Sequence, residues 1–223
     1  EVDTVAATLG TFELPPLTGD RGAVTLVALT GDAFAGSSLT IPIYRITSDA
    51  YNLSNQAVPD VGFDTSVTAV VRAPATAEAR PLVLFLHGNH ENCIDGTGFP
   101  YCDFTDAHEC NGTPFPNAEG YVYLMETLAA QGYVTASISA NAINCRDDGI
   151  FERGALILEH IKRWKAWTSA APPAPFADGR FTGHVDLAHV SIVGHSRGGD
   201  GAAWTPQLLK ADPIAGVTLD SVL

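Results

Sequence analysis

Across residues 1 to about 75 the apolar positions alternate or come in short runs, and none recurs at helical spacing. This pattern predicts strands at Val24 to Leu29, Leu39 to Ile46 and Ser66 to Arg72, the last ended by Pro74. Gly31-Asp32, Ser48-Asp49 and Pro59-Asp60 read as the turns between them. From residue 80 the pattern changes. Pro81 to Leu86 is an unbroken apolar run ending at His87-Gly88, as expected of a strand buried on both faces of a mostly parallel sheet. A long polar loop follows, from Asn89 to Pro116. Ala118 to Gln131 has helical spacing, with Tyr121, Leu124 and Leu128 on one face and Gly132 as the stop. Tyr133 to Ser139 predicts a strand, and Gly149 to Trp167 a second helix carrying Leu156, Ile157, Ile161 and Trp164. Val190 to Val193 predicts a strand, Arg197 to Leu209 a helix, and Ile214 to Leu219 a last strand. Strands alternating with helices imply right-handed βαβ units around a parallel sheet.

Composition narrows the function classes. The 223 residues are 46% hydrophobic and carry a formal charge of −13, with lysine only at 162, 165 and 210. Such a surface repels nucleic acid and anionic headgroups, so neither is an expected partner. No run reaches the roughly 18 apolar residues that a membrane helix needs. Glu1 reads as the first residue of a processed or recombinant chain, since no charged-then-apolar leader stands before it. Cys93, Cys102, Cys110 and Cys145 are an even set in loop positions, which points to two disulfides and a secreted or periplasmic location. Three pairings are possible; Cys93–Cys102 with Cys110–Cys145 is the expectation. Asp95, Asp103, Asp106 and Glu109 offer oxygen ligands of the kind calcium takes, but the spacing is not that of an EF-hand loop, and a solvated acidic loop is the better reading. No cofactor is expected.

The chemistry concentrates at Gly194-His195-Ser196-Arg197-Gly198. This G-x-S-x-G run follows an apolar strand and opens a helix, the setting of a nucleophile elbow. Glycines on either side of the serine let neighbouring backbones approach. The start of the helix offers N–H groups and a positive dipole end to a developing oxyanion.

With Leu82 to Gly88, Val190 to Gly199 and Ile214 to Asp220, this run resembles the α/β-hydrolase family, most closely the group of chlorophyllases, platelet-activating-factor acetylhydrolases and bacterial polyester hydrolases. The resemblance covers roughly residues 65 to 223. It implies a three-layer α/β-hydrolase core (a mostly parallel sheet with helices on both faces), incomplete at its C-terminal end. A β-rich extension over 1–64 precedes the hydrolase portion over 65–223. It also implies a serine esterase acting on carboxylic esters through an acyl-enzyme. Ser196 is the implied nucleophile, and the amides of Asn89 and Arg197 are the implied oxyanion donors. Asp220, in Leu219-Asp220, stands where the family's acid stands.

The catalytic histidine is missing from this reading. His87, His90, His108, His160, His184, His189 and His195 all precede Ser196, whereas the family order is serine, acid, histidine. His90 is the local substitute, with pocket lining its more natural role; His195 is also placed beside the pocket. His87 is expected to order the loop rather than move protons. The expectation is therefore a second polypeptide, or a segment outside these residues, that completes the fold and supplies the histidine. Asn144, Arg146 and Asp147 follow a strand at the rim where open sheets bind ligands, and are candidate pocket residues. Two rival readings remain open: a non-catalytic module that kept the elbow, and an acyltransferase or peptidase using the same serine.

Overall fold

The computed structural model describes residues 21–27, 38–103, 110–145 and 149–223, with backbone alone for 21–27 and 38–42. In chain order the strands are β1 (Arg21–Val27), β2 (Ser38–Tyr44), β3 (Ile46–Ala57), β4 (Asp64–Pro74) and β5 (Arg80–Leu86), then three two-residue strands, β6 (Cys93–Ile94), β7 (Pro100–Tyr101) and β8 (Thr113–Pro114). A 3-10 turn over Asn117–Tyr121 leads into α1 (Val122–Ala130). The remaining elements are β9 (Val134–Ser139), α2 (Ile150–Trp167), β10 (Val185–Gly194), α3 (Arg197–Ala211) and β11 (Leu219–Val222).

The main sheet has the order β11-β10-β5-β9-β4-β3. Its first four strands run parallel; β4 pairs antiparallel with β9, and β3 pairs antiparallel with β4. A separate antiparallel sheet, β7-β6-β8, forms in the loop after β5, and β1 pairs with β2 as a hairpin. This corrects the expected three-layer α/β-hydrolase core with its mostly parallel sheet. The sheet is mixed, a second sheet stands apart from it, and only three helices occur among the described residues, the shortest of nine residues. The chain is strand-rich. Much of the difference lies in β3, a twelve-residue strand through Ser48-Asp49, which had read as a turn. An edge strand needs few buried side chains. Tyr51 is the one residue of β3 that is fully buried, so apolar alternation is absent from its sequence. The 64/65 boundary falls at the start of β4, and β3 on its N-terminal side pairs along the length of β4.

The continuous apolar run of β5 meets its expectation. Leu82, Leu84 and Leu86 enter the large core with α2, while Val83 and Phe85 pack on the other side with Met125 of α1. Trp164 and Trp167 are buried in an aromatic cluster with Tyr51, Phe176 and Phe181, a packing role as anticipated. The register that matters for chemistry is at the strand ends. Gly194 of β10 lies beside Leu86 of β5, so the turn after β10 and the loop after β5 leave the sheet side by side.

Candidate active site

Ser196 sits in the turn between β10 and α3 with φ 53° and ψ −127°, a backbone conformation that costs a non-glycine residue on the order of 1–3 kcal/mol. The fold holds it there by hydrogen bonds on both sides. The His195 N–H donates to the Leu86 carbonyl at 3.1 Å, and the N–H groups of Gly199 and Asp200 donate to the Ser196 carbonyl at 2.8 and 3.2 Å. Two glycines make this crossing possible. A Cβ on Gly194 would fall on the Gly198 carbonyl, and one on Gly198 would fall on the carbonyls of Leu86 and His87. The serine is exposed, and its hydroxyl has no hydrogen-bond partner among the described residues.

The loop after β5 passes close by. A Cβ built on Gly88 would lie 3.0 Å from the Ser196 Cβ. The backbone N–H groups of Asn89 and Arg197 have no acceptor among the described residues. Two free donors thus flank the serine. His87 orders this loop, as expected. Its Nε2 accepts the Ala140 N–H at 2.9 Å, so the ring proton is on Nδ1, which donates to the Gly88 carbonyl at 2.8 Å. The Gly88–Asn89 peptide is trans, so holding that carbonyl also sets the direction of the Asn89 N–H. Burial pushes the His87 pKa down to about 4, and the ring is neutral at physiological pH.

The histidine rings next to the serine form a short column. His90 lies 6.2 Å from His87 and 6.3 Å from His195, the ring planes of the latter pair nearly parallel at 3°. His90 lines a groove of ≈ 400 Å³ with His87, Glu91, Phe115, Pro116 and Tyr121. His195 does not line this groove. Asn144 does not either: it is buried, and its Oδ1 accepts from the Arg153 Nη2 at 2.7 Å. Arg146 and Asp147 lie outside the described residues.

Asp220 is not brought to Ser196. Val190 pairs with Leu219, and Ser191 with Ser221, so Asp220 lies level with the middle of β10. The elbow starts three residues further on, about 10 Å along the strand. Leu223 is the residue level with it, its carbonyl accepting the Gly194 N–H at 2.8 Å. Asp220 instead pairs with His189 at 2.9 Å, on exposed surface, and this hydrogen bond raises the His189 pKa. Parallel pairing puts the start of β11, not its end, beside the middle of β10, so the residue expected as triad acid is engaged with His189 instead.

The disulfides are Cys93–Cys110 and Cys102–Cys145, with Cα separations of 5.3 and 5.6 Å, which corrects the expected pairing. The reason is the small sheet. Pairing of β6 with β8 brings Cys93 to the segment just after Cys110, and Cys102, at the end of β7, faces the loop after β9. Of the acidic loop, Asp95 is occupied locally, its Oδ1 accepting from Thr97 N–H, Thr97 Oγ1 and Phe99 N–H. Asp106 and Glu109 lie outside the described residues, among which no group of three or more potential metal ligands occurs. Arg197 and Asp200 form a local pair at 3.7 Å.

Sequence reasoning missed Arg153. It stands one helical turn before Ile157 on the apolar stripe of α2, and a cation in that stripe was the available signal. The guanidinium is fully buried, and burial lowers its pKa to about 10. Set against protein-family models and curated proteins, the chain matches none. Among the described residues no helix is long and apolar enough to cross a membrane, and the two disulfides fit an oxidising compartment.

Proposed function

We propose that the chain carries the nucleophile half of a secreted serine esterase. The observation behind this reading is the exposed Ser196 at φ 53°, ψ −127°, flanked by the unoccupied N–H groups of Asn89 and Arg197. Strain of this kind persists where surrounding structure enforces it, and it lifts the hydroxyl clear of the sheet. The local strand–elbow–helix unit supports the reading, as does the resemblance of its residues to α/β-hydrolase motifs; the layer architecture does not enter.

In the proposed reaction the Ser196 Oγ attacks an ester carbonyl, and a histidine takes its proton. The carbonyl π bond opens to an oxyanion held by the two amides. The tetrahedral intermediate collapses, the alcohol leaves with the proton, and an acyl-serine remains. Water then attacks, returning the proton to Ser196 and releasing the carboxylic acid. Among the described residues no histidine bonds to Ser196, and Asp220 is engaged elsewhere. The base and its acidic partner are therefore assigned to a segment or second polypeptide outside these residues. The groove beside His90 is the proposed seat of one arm of the ester.

A fluorophosphonate probe with peptide mapping tests the nucleophile. Labelling at Ser196, abolished in Ser196→Ala, is expected. Absence of labelling in the active preparation would favour a non-catalytic module. Product analysis with ester, amide and alcohol acceptors separates an esterase from a peptidase or acyltransferase. A denaturing gel of that preparation reads the second polypeptide: one band of about 23.4 kDa with full activity would remove it.

A further inference from the structure

We infer that Arg153 is a positioning residue that holds the loop from His87 to Asn89 in the shape that aims the Asn89 amide at the site, an inference that rests on the reading of Ser196 as nucleophile. Arg153 is 0% exposed, and no carboxylate pairs with it among the described residues. A buried cation without a counter-charge is costly, and packing alone gives no reason to keep one. What it touches is informative. Its Nη2 donates to the Asn144 Oδ1 at 2.7 Å and its Nη1 to the His87 carbonyl at 3.5 Å. One guanidinium thus bridges the loops that leave the neighbouring strands β5 and β9. The His87 carbonyl is the same one that Gly198 of α3 approaches.

The bridge acts through His87. Its backbone is held from below by Arg153, and its ring is held by the Ala140 N–H after β9. Both partners of His87 therefore belong to, or are tied to, the β9 side of the site. With the ring so fixed, Nδ1 holds the Gly88 carbonyl and the trans peptide turns the Asn89 N–H outward. The helix crossing is built for this placement: a Cβ on Gly201 of α3 would lie 2.6 Å from the Arg153 Cβ. α3 and α2 thus approach closely at Arg153 and at the neighbouring Gly154, whose own Cβ would lie 3.1 Å from the Gly201 carbonyl.

The test uses the active preparation, with this chain carrying Arg153→Met or Arg153→Lys. Two quantities are read: hydrogen exchange of the Ala140 amide, which is bonded to the His87 ring, by NMR, and the second-order rate of Ser196 modification by a fluorophosphonate. Replacing a buried unpaired charge with methionine is often neutral or stabilising, so a folded variant is expected. In it, Ala140 exchange should rise at least about tenfold while core amides of β5 are unchanged. Labelling should slow about 100-fold, the cost of a misplaced donor. Arg153→Lys keeps the charge but not the two-point grip, and should fall between the two on both measures; it also serves if the methionine variant fails to fold. Unchanged Ala140 exchange in a folded variant overturns the inference, as does exchange that rises equally across the β5 core. If wild-type Ser196 is not labelled, the esterase reading falls, and the exchange comparison alone decides whether Arg153 holds the loop.

Discussion

The two ends of the β10–β11 pair carry similar residue types with opposite physical character. Towards one end, exposed His189 and Asp220 pair at 2.9 Å, the acid–imidazole half of a serine triad by composition. At the other end Ser196 stands alone, strained, between two unoccupied amides. Only the second has the marks of a site. Its backbone conformation is held by glycines that no side chain could replace, and its donors point at nothing else. The first is a solvated ion pair of the kind worth little in stability. Residue type therefore does not identify chemistry here; strain and unsatisfied donors do.

The largest effect expected from breaking this contrast is at the serine. Ser196→Ala should lower fluorophosphonate labelling and ester turnover at least about 1000-fold while leaving the melting temperature the same or higher, since it relieves no packed contact. Next is the turn itself. Gly198→Ala should cost about 3 kcal/mol or more in a urea melt, because its Cβ meets backbone carbonyls that have nowhere to move. A smaller effect comes from pH and separates the two ends by sign. His87 is held neutral near the elbow down to about 4, whereas the unfolded ring protonates near 6.5. The unfolded chain then binds more protons, so stability should fall as pH drops through 6.5 and level off only below the native value, by on the order of 3 kcal/mol. His189 behaves oppositely: its pKa is raised, so its contribution is full below 6.5 and is lost as pH rises through the native value. Urea melts from neutral pH down, with His87→Gln as the comparison, should show a shallower slope in the variant. The smallest effect is Asp220→Asn. An NMR titration should show the His189 pKa falling back towards its ordinary value, with Ser196 labelling unchanged; loss of labelling would return Asp220 to the site.

Much of the elbow was legible because its determinants are adjacent in the chain. The apolar strand, the two glycines and the helix that follows are all local, and the turn they specify needs nothing distant. β5 was equally plain, since burial on both faces leaves an unbroken apolar run. β3 was not, because an edge strand with one fully buried side chain has no alternation to read. The loop from Asn89 to Pro116 hid its small sheet for a related reason: two-residue strands have no periodicity, and their pairing was decided together with the cross-links.

By itself, then, the sequence determined the strand–turn–helix around Ser196, the paired glycines that shape its turn, the loop that approaches it and the presence of two disulfides. Tertiary structure alone decided the mixed order of the sheet, the pairing of the cysteines, the place of Asp220 level with the middle of β10 and the seat of Arg153 against the loop after β5. The division has a physical cause. A tight turn is specified by residues in contact along the chain, whereas strand register, cross-link partners and the neighbours of a buried charge depend on segments tens of residues apart.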